Sequence, residues 1–88
     1  MKTAIPDSFR SLLWSLKWEA LDAWEDREDI ITAAFNEGCL EQIRWIIQTY
    51  GKEEIRNCLS RRLETEFHSE SRHLAKVIIP GLDFRHAR

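Results

Sequence analysis

The sequence predicts an all-α fold, a compact bundle of four to five short helices. Apolar residues recur at three- and four-residue intervals, whereas no segment alternates apolar and polar residues as a half-buried strand does. Four Trp, four Phe, only three Gly and two Pro are typical of a folded helical globule rather than a disordered chain. With 88 residues we expect one domain over residues 1–79, followed by a tail over residues 80–88.

The first predicted helix is short and follows the turn at Pro6. Its apolar residues have helical spacing: Phe9, Leu12, Leu13 and Leu16.

The second helix is predicted from about Ala23 to Glu37. Asp22 and Glu25 have the spacing of a capping box, in which an acid replaces the usual Ser or Thr. The residues expected on its buried face are Trp24, Ile30, Ile31, Ala34 and Phe35. Gly38 is expected to end this helix in the left-handed conformation that glycine adopts without a Cβ penalty.

Three further helices are expected. One runs from about Leu40 to Tyr50 and is ended by Gly51, and the next runs from about Lys52 to Leu63. The last begins near Ser69 or Ser71 and stops before Pro80, which disfavours helix at the preceding residue. The core residues expected from these helices are Leu40, Ile43, Ile46, Ile47, Tyr50, Ile55, Cys58, Leu59, Leu63, Leu74, Val77 and Ile78.

Trp45 does not fit the buried face of its own helix. On a helical wheel it lies between Glu41 and Gln48, nearly opposite Ile43 and Ile47. Either the first or last helix covers it, or it is an anchor for another protein, since Trp and Arg are enriched in interface hot spots. The sequence alone leaves both alternatives open.

No constellation of residues predicts catalysis, a metal site or a cofactor. His68 and His73 are five residues apart and do not share a helical face, and neither cysteine has a second cysteine at zinc-ligand spacing. Cys39 is expected at a helix N-terminus without an identifiable base, and no Gly-rich phosphate loop is present. We therefore expect a protein that is not an enzyme.

Charge and hydropathy bear on the partner and the compartment. The formal net charge is −2 and no run of five Lys or Arg occurs, so nucleic acid is not favoured as a partner. The apolar stretches are far shorter than the ~20 residues that cross a bilayer. The first ten residues lack the apolar run of a secretory signal, so we expect a cytoplasmic protein with reduced cysteines, although a disulfide between Cys39 and Cys58 stays open.

The stretch Leu13–Leu59 resembles a family of small bacterial helical domains. Its pattern runs from a W-D-x-D start through a central LD, an II pair and G-x-L-E to RW and YGKE. The residues that match at this spacing are Trp14, Leu21, Asp22, Ile30, Ile31, Gly38, Leu40, Glu41, Arg44, Trp45, Tyr50, Gly51, Lys52 and Glu53. The chain departs from the pattern where "WSLK" replaces the acidic opening and where Cys39 replaces a better capping residue.

Members of that family are typically encoded beside AbiEii-type nucleotidyltransferase toxins and are taken to be the cognate antitoxins. The resemblance implies a protein that binds and restrains a nucleotidyltransferase without chemistry of its own. We predict direct contact, with Trp45 and Arg44 as the first candidates for the interface and Trp14 and Trp18 as the next. A DNA-binding regulator of helix-turn-helix type around Gly38 and a self-associating helical module remain the alternatives.

Overall fold

The computed structural model describes residues 5–14, 16–62 and 64–84. These residues form four α-helices, with no β-strand among them: α1 (Arg27–Glu37), α2 (Leu40–Tyr50), α3 (Lys52–Ser60) and α4 (Ser69–Ile78). Short 3-10 helices lie at Asp7–Phe9, Trp18–Ala20 and Glu64–Glu66. Helix α1 is central, because it packs against each of the other three, and α2 also packs against α3. The predicted all-α class is confirmed.

The core takes side chains from all four helices and from the segments before and after them. Its buried members include Phe9, Leu13, Ile30, Ile31, Ala34, Phe35, Ile43, Ile46, Ile55, Cys58, Leu59, Phe67, Ala75, Ile79, Leu82 and Phe84. Leu82 and Phe84 lie in the segment that was predicted to be a tail. The rings of Phe84 and Phe67 are 4.9 Å apart, so residues 82 and 84 are part of the packed domain.

The segment predicted as the first helix is not a regular α-helix, although two of its predicted apolar residues are buried. A single 3-10 turn at Asp7–Phe9 is followed by isolated turns, in which Phe9 and Leu13 are buried. In a regular helix the carbonyl of Ser8 would accept from the N–H of Leu12. Here it accepts a 2.9 Å hydrogen bond from the side chain of Gln42, while the N–H of Leu12 bonds to Phe9. A partner distant in sequence therefore replaces the helical bond.

Helix α1 begins at Arg27, four residues later than predicted. Asp22 does cap the preceding turn, since its Oδ2 accepts from the N–H groups of Trp24 and Glu25 at 3.0 and 2.8 Å. The reciprocal bond comes from Asp26, whose Oδ2 accepts from the N–H of Asp22 at 2.9 Å, and not from Glu25. Residues 23–26 thus form a turn before α1 instead of its first helical turn. In this turn Trp24 is 53% exposed rather than buried. Its predicted burial is wrong.

Gly38 follows α1 as predicted, but for a different reason. Its φ of −86° is not left-handed. A Cβ at this position would lie 2.5 Å from the carbonyl oxygen of Ala34 and 2.9 Å from Oε1 of Gln42. Glycine is therefore required by close packing at the α1–α2 junction rather than by a positive φ.

Helix α2 has the predicted bounds, and Gly51 ends it at a φ of +85°, which favours glycine. Ile43 and Ile46 are buried as predicted, and Ile47 and Tyr50 pack partly buried against the core. The prediction for Leu40 is wrong, because it is 72% exposed at the first position of the helix.

Helix α3 is confirmed with Ile55, Cys58 and Leu59 buried, although it ends at Ser60; Leu63 lies outside the described residues. Helix α4 starts at Ser69, one of the two predicted starting residues, and ends at Ile78, two residues before Pro80. Its buried face is shifted from the prediction. Ser71, Ala75 and Ile79 are buried and Val77 is 66% exposed, whereas Leu74 and Ile78 are only partly buried.

Candidate functional site

Trp45 is partly buried, and the chain before the helices is what covers it. Its ring centroid lies 5.2 Å from that of Phe9 with the planes tilted by 59°, and 5.8 Å from that of Tyr50 in an edge-on arrangement. Gln42 holds this segment on α2, because its side chain donates to the carbonyl of Ser8 and accepts from the N–H of Cys39 at 2.7 Å. One Gln side chain thus fixes both the cover over Trp45 and the start of α2.

Tyr50 connects this cluster to the turn before α1. Its hydroxyl donates a 2.5 Å hydrogen bond to the carbonyl of Ala23, the residue before Trp24. Burial raises the pKa of Tyr50 to about 12, and nearby acidic groups add to the effect. The phenol is therefore a neutral donor at physiological pH, and the Tyr50 side chain contacts both the Trp45 ring and the Ala23 carbonyl.

The other sequence-predicted interface residues lie at the surface. Trp14 is 79% exposed, and Arg44 is exposed on α2 beside Trp45. Trp18 is partly buried, with the guanidinium of Arg10 5.2 Å from its ring centroid. No ring contact among residues 5–14, 16–62 and 64–84 joins Trp14 or Trp18 to Trp45. Trp14 and Arg44 are therefore exposed to solvent, whereas Trp45 is exposed over only part of its surface.

Trp24 is an exposed aromatic residue that the helical wheel missed. The guanidinium carbon of Arg27 lies 4.0 Å from the centroid of its ring, and Nη1 of Arg27 donates to the Trp24 carbonyl at 2.8 Å. Nε of Arg27 donates to Glu54 on α3 at 2.7 Å. The hydrogen bond from Arg27 holds the pKa of the Glu54 carboxyl below its ordinary value. A signal existed in the sequence, since Arg27 follows Trp24 by three residues.

Ion pairs continue along the contact between α1 and α3. Arg61 pairs with Glu28 at 2.9 Å, and Arg62 pairs with Asp29 at 2.8 Å and with Glu66 at 3.0 Å. These pairs are partly exposed to solvent, which screens them, so each adds little to the free energy of unfolding. These pairs place a cation beside Glu28 and Asp29, the two acidic residues in the first turn of α1.

Cys58 is the buried thiol of this contact. Its Sγ lies 3.4 Å from Oε2 of Glu54, and burial with this hydrogen bond raises its pKa to about 11. A thiol that stays protonated at neutral pH is a poor nucleophile. Both cysteines are free thiols, as predicted. Cys39 is exposed at the start of α2, whereas Cys58 is buried.

The described part of the chain contains no group of three or more His, Cys, Asp or Glu side chains that could hold a metal ion. None of the helices there is both long and apolar enough to span a bilayer. A cavity of about 210 Å³ lies between the start of α3 and the end of α4, lined by Lys52, Glu53, Arg56, Ile79 and Pro80. Its charged lining residues, Lys52, Glu53 and Arg56, are exposed.

Charge is unevenly distributed along the chain. Residues 1–37 carry eight acidic and four basic side chains, whereas residues 38–88 carry seven acidic and nine basic ones. The acidic excess is concentrated at residues 22–29, where five of eight residues are Asp or Glu and only Arg27 is basic. The exposed Trp24 lies within this stretch.

The sequence profile of a family of unknown function, DUF6922, matches residues 8–59, more than half of the chain. The chain belongs to this family. The region shared with DUF6922 extends from Ser8 to the last turn of α3 and contains all four tryptophans. No curated protein and no solved structure matches the chain. The tryptophans described above are thus within the DUF6922 region, whereas α4 lies outside it.

Proposed function

We propose that this DUF6922 member is a non-catalytic, antitoxin-like protein that binds and restrains a nucleotidyltransferase in the cytoplasm. The resemblance of Leu13–Leu59 to domains encoded beside AbiEii-type toxins supplies the class of partner. That stretch falls within the region that matches the family profile. The contact surface is proposed on the exposed side of the segment before α1 and on α2.

The observation that carries the proposal is the exposure of Trp14. An indole that is 79% exposed leaves a large apolar area in water, and such residues are hot spots when a partner covers them. Arg44 supplies an exposed cation on α2, and Trp18 and Trp45 are partly accessible. The proposed interface residues stay the four predicted from the sequence, with Trp14 in place of Trp45 as the first candidate because it is the most exposed.

A protein partner fits this surface better than DNA. A recognition helix presents basic or amide side chains at its N-terminal turn, where they reach base edges. Helix α2 exposes Leu40 and Glu41 there, and its amide residue Gln42 is buried and bonded to Ser8 and Cys39. The acidic first 37 residues add repulsion from phosphate.

Co-expression with any nucleotidyltransferase encoded beside the gene for this chain tests the proposal. We expect the two proteins to co-purify and the nucleotidyltransferase to lose its toxicity in cells that also make this chain. Absence of a complex together with undiminished toxicity would contradict the proposal.

Trp14→Ala identifies the surface within that experiment. We expect it to weaken the complex by about tenfold or more, as for a hot-spot aromatic residue. Val77→Ala is the matched control, because Val77 is 66% exposed on α4, outside the family region. Equal affinity of the two variants would place the interface elsewhere.

A further inference from the structure

Residues 6–14, called the strap here, lie against α2 without forming an α-helix. The 3-10 turn at Asp7–Phe9 is followed by isolated turns, in which the N–H groups of Leu12 and Leu13 share the carbonyl of Phe9 at 3.0 Å. These backbone bonds join residues of the strap to one another. The backbone bonds of α2 likewise run along α2 itself, so the helix does not need the strap to complete them.

Gln42 fastens the strap to α2. Its Nε2 donates to the carbonyl of Ser8 at 2.9 Å, while its Oε1 accepts from the N–H of Cys39 at 2.7 Å. The first bond joins the strap to the helix, and the second caps the helix. Because the two bonds use different atoms of one buried amide, a substitution can remove the first and keep the second.

An aromatic contact completes the attachment. Phe9 is fully buried, and its ring lies 5.2 Å from that of Trp45. The other ring contact of Trp45 is with Tyr50, which belongs to the same helix. Release of the strap therefore uncovers the side of Trp45 that faces Phe9 and leaves the Tyr50 contact in place. Burial of Phe9 and Leu13 keeps the released form a minor one.

We propose that the strap is a latched cover that opens from α2 as a unit while α1, α2, α3 and α4 stay folded. Segments that open below the free energy of global unfolding are those with local, solvent-exposed backbone bonds, and Ser8, Arg10 and Ser11 are exposed in the strap. The closed form covers Trp45 and the open form presents it. The opening involves no partner, so this inference is independent of the function proposed above.

Native-state amide hydrogen exchange of the full chain, followed by NMR, tests the latch. Gln42→Glu removes the donor to Ser8 and keeps an oxygen for the N–H of Cys39. We expect exchange at Leu12 and Leu13 to rise about tenfold or more, because the Ser8 carbonyl loses its partner. Gln48→Glu adds the same charge at an exposed position of α2 and is expected to change exchange there by less than about twofold.

Lys76→Gly separates opening of the strap from global unfolding. Lys76 is exposed in the last turn of α4, so this variant lowers the helix propensity of α4 and leaves the core unchanged. We expect it to raise exchange at Ile31 and Phe35 in α1 about threefold and to leave exchange in the strap unchanged.

The wild-type chain gives a reference that does not depend on any variant. Its Leu12 and Leu13 amides are expected to exchange at least about tenfold faster than those of Ile31 and Phe35. Equal rises in the strap and in α1 for Lys76→Gly would mean that the strap opens only when the whole chain unfolds. Equal exchange in Gln42→Glu and Gln48→Glu would mean that the bond to Ser8 is not a latch. Either result would overturn the inference.

Discussion

The ring of Trp45 lies 5.2 Å from the ring of Phe9, so the segment before the helices is packed on α2 through an aromatic pair. Gln42 reinforces the contact one turn away by donating to the carbonyl of Ser8. The tryptophan that its own helical wheel leaves outside the core is thus partly covered by another part of the same chain. Trp45 therefore packs within the fold, whereas Trp14 and Trp24 stay exposed to solvent.

Replacement of Trp45 and of Trp14 by alanine is expected to separate these two roles. Trp45→Ala removes the contacts with Phe9 and Tyr50 and is expected to lower the free energy of unfolding by about 2 kcal/mol, less than for a fully buried Trp. Trp14→Ala is expected to change it by less than about 0.5 kcal/mol, because Trp14 is 79% exposed. Urea unfolding followed by far-UV circular dichroism measures both. Equal values would mean that the Phe9–Trp45 contact does not stabilise the fold.

Gln42→Ala is expected to destabilise the protein by about 1 to 3 kcal/mol, because it leaves the Ser8 carbonyl and the Cys39 N–H without their partner. Gln48→Ala, at an exposed position of the same helix, is the matched control and is expected to stay within about 0.5 kcal/mol of wild type. Chemical denaturation of the two variants gives the comparison. A Gln42→Ala protein as stable as the control would show that water satisfies both groups.

The two glycines that end α1 and α2 are expected to resist alanine for different reasons. At Gly38 the added Cβ would meet the Ala34 carbonyl at 2.5 Å, so the backbone must move, at a cost of about 2 to 3 kcal/mol. At Gly51 no atom lies within 4 Å, and the cost of about 1 to 3 kcal/mol comes only from the backbone, whose φ of 85° and ψ of 153° are almost restricted to glycine. Thermal unfolding is expected to show both variants less stable than wild type. A Gly38→Ala protein as stable as wild type would mean that the α1–α2 junction is more loosely packed than described here.

The Arg27–Glu54 pair is expected to make stability depend on pH in the acid range. The folded-state pKa of Glu54 is lower than the ordinary value of 4.5, chiefly because of its hydrogen bond with Arg27. The stabilisation is therefore present above the unfolded-state pKa and is lost as the pH falls through the folded-state pKa. Urea midpoints from neutral pH to below 4.5 are expected to converge for wild type and Glu54→Gln. Glu53→Gln, exposed in the same turn, is expected to follow wild type throughout; a constant gap between wild type and Glu54→Gln would refute the linkage.

Local signals predicted the parts of the fold that local chemistry determines. Helix α2 has its predicted bounds because Gly51 supplies a positive φ at its end, and α4 stops before Pro80 because proline excludes helix there. The first helix was predicted wrongly because the Ser8 carbonyl bonds to Gln42, 34 residues later, a partner that no local pattern reveals. Trp24 was assigned to the core because the helix was started too early, at the turn that Asp22 and Asp26 close.

The candidate site was predictable in its residue types but not in their accessibility. Trp14 and Arg44 are exposed as an interface requires, whereas Trp45 shares its surface with Phe9 and Tyr50. The contribution of Trp24 depends on Arg27 and Glu54, and Glu54 comes from another helix. Contacts between elements decide which of four tryptophans remain available, and a helical wheel contains no such information.

The central claim, that this chain binds and restrains a nucleotidyltransferase, is tested most directly by titrating the activity of any nucleotidyltransferase encoded beside its gene with the purified wild-type chain. We predict that activity falls in proportion to added chain until the two proteins are equimolar. Full activity in the presence of a large excess of the folded chain would contradict the claim.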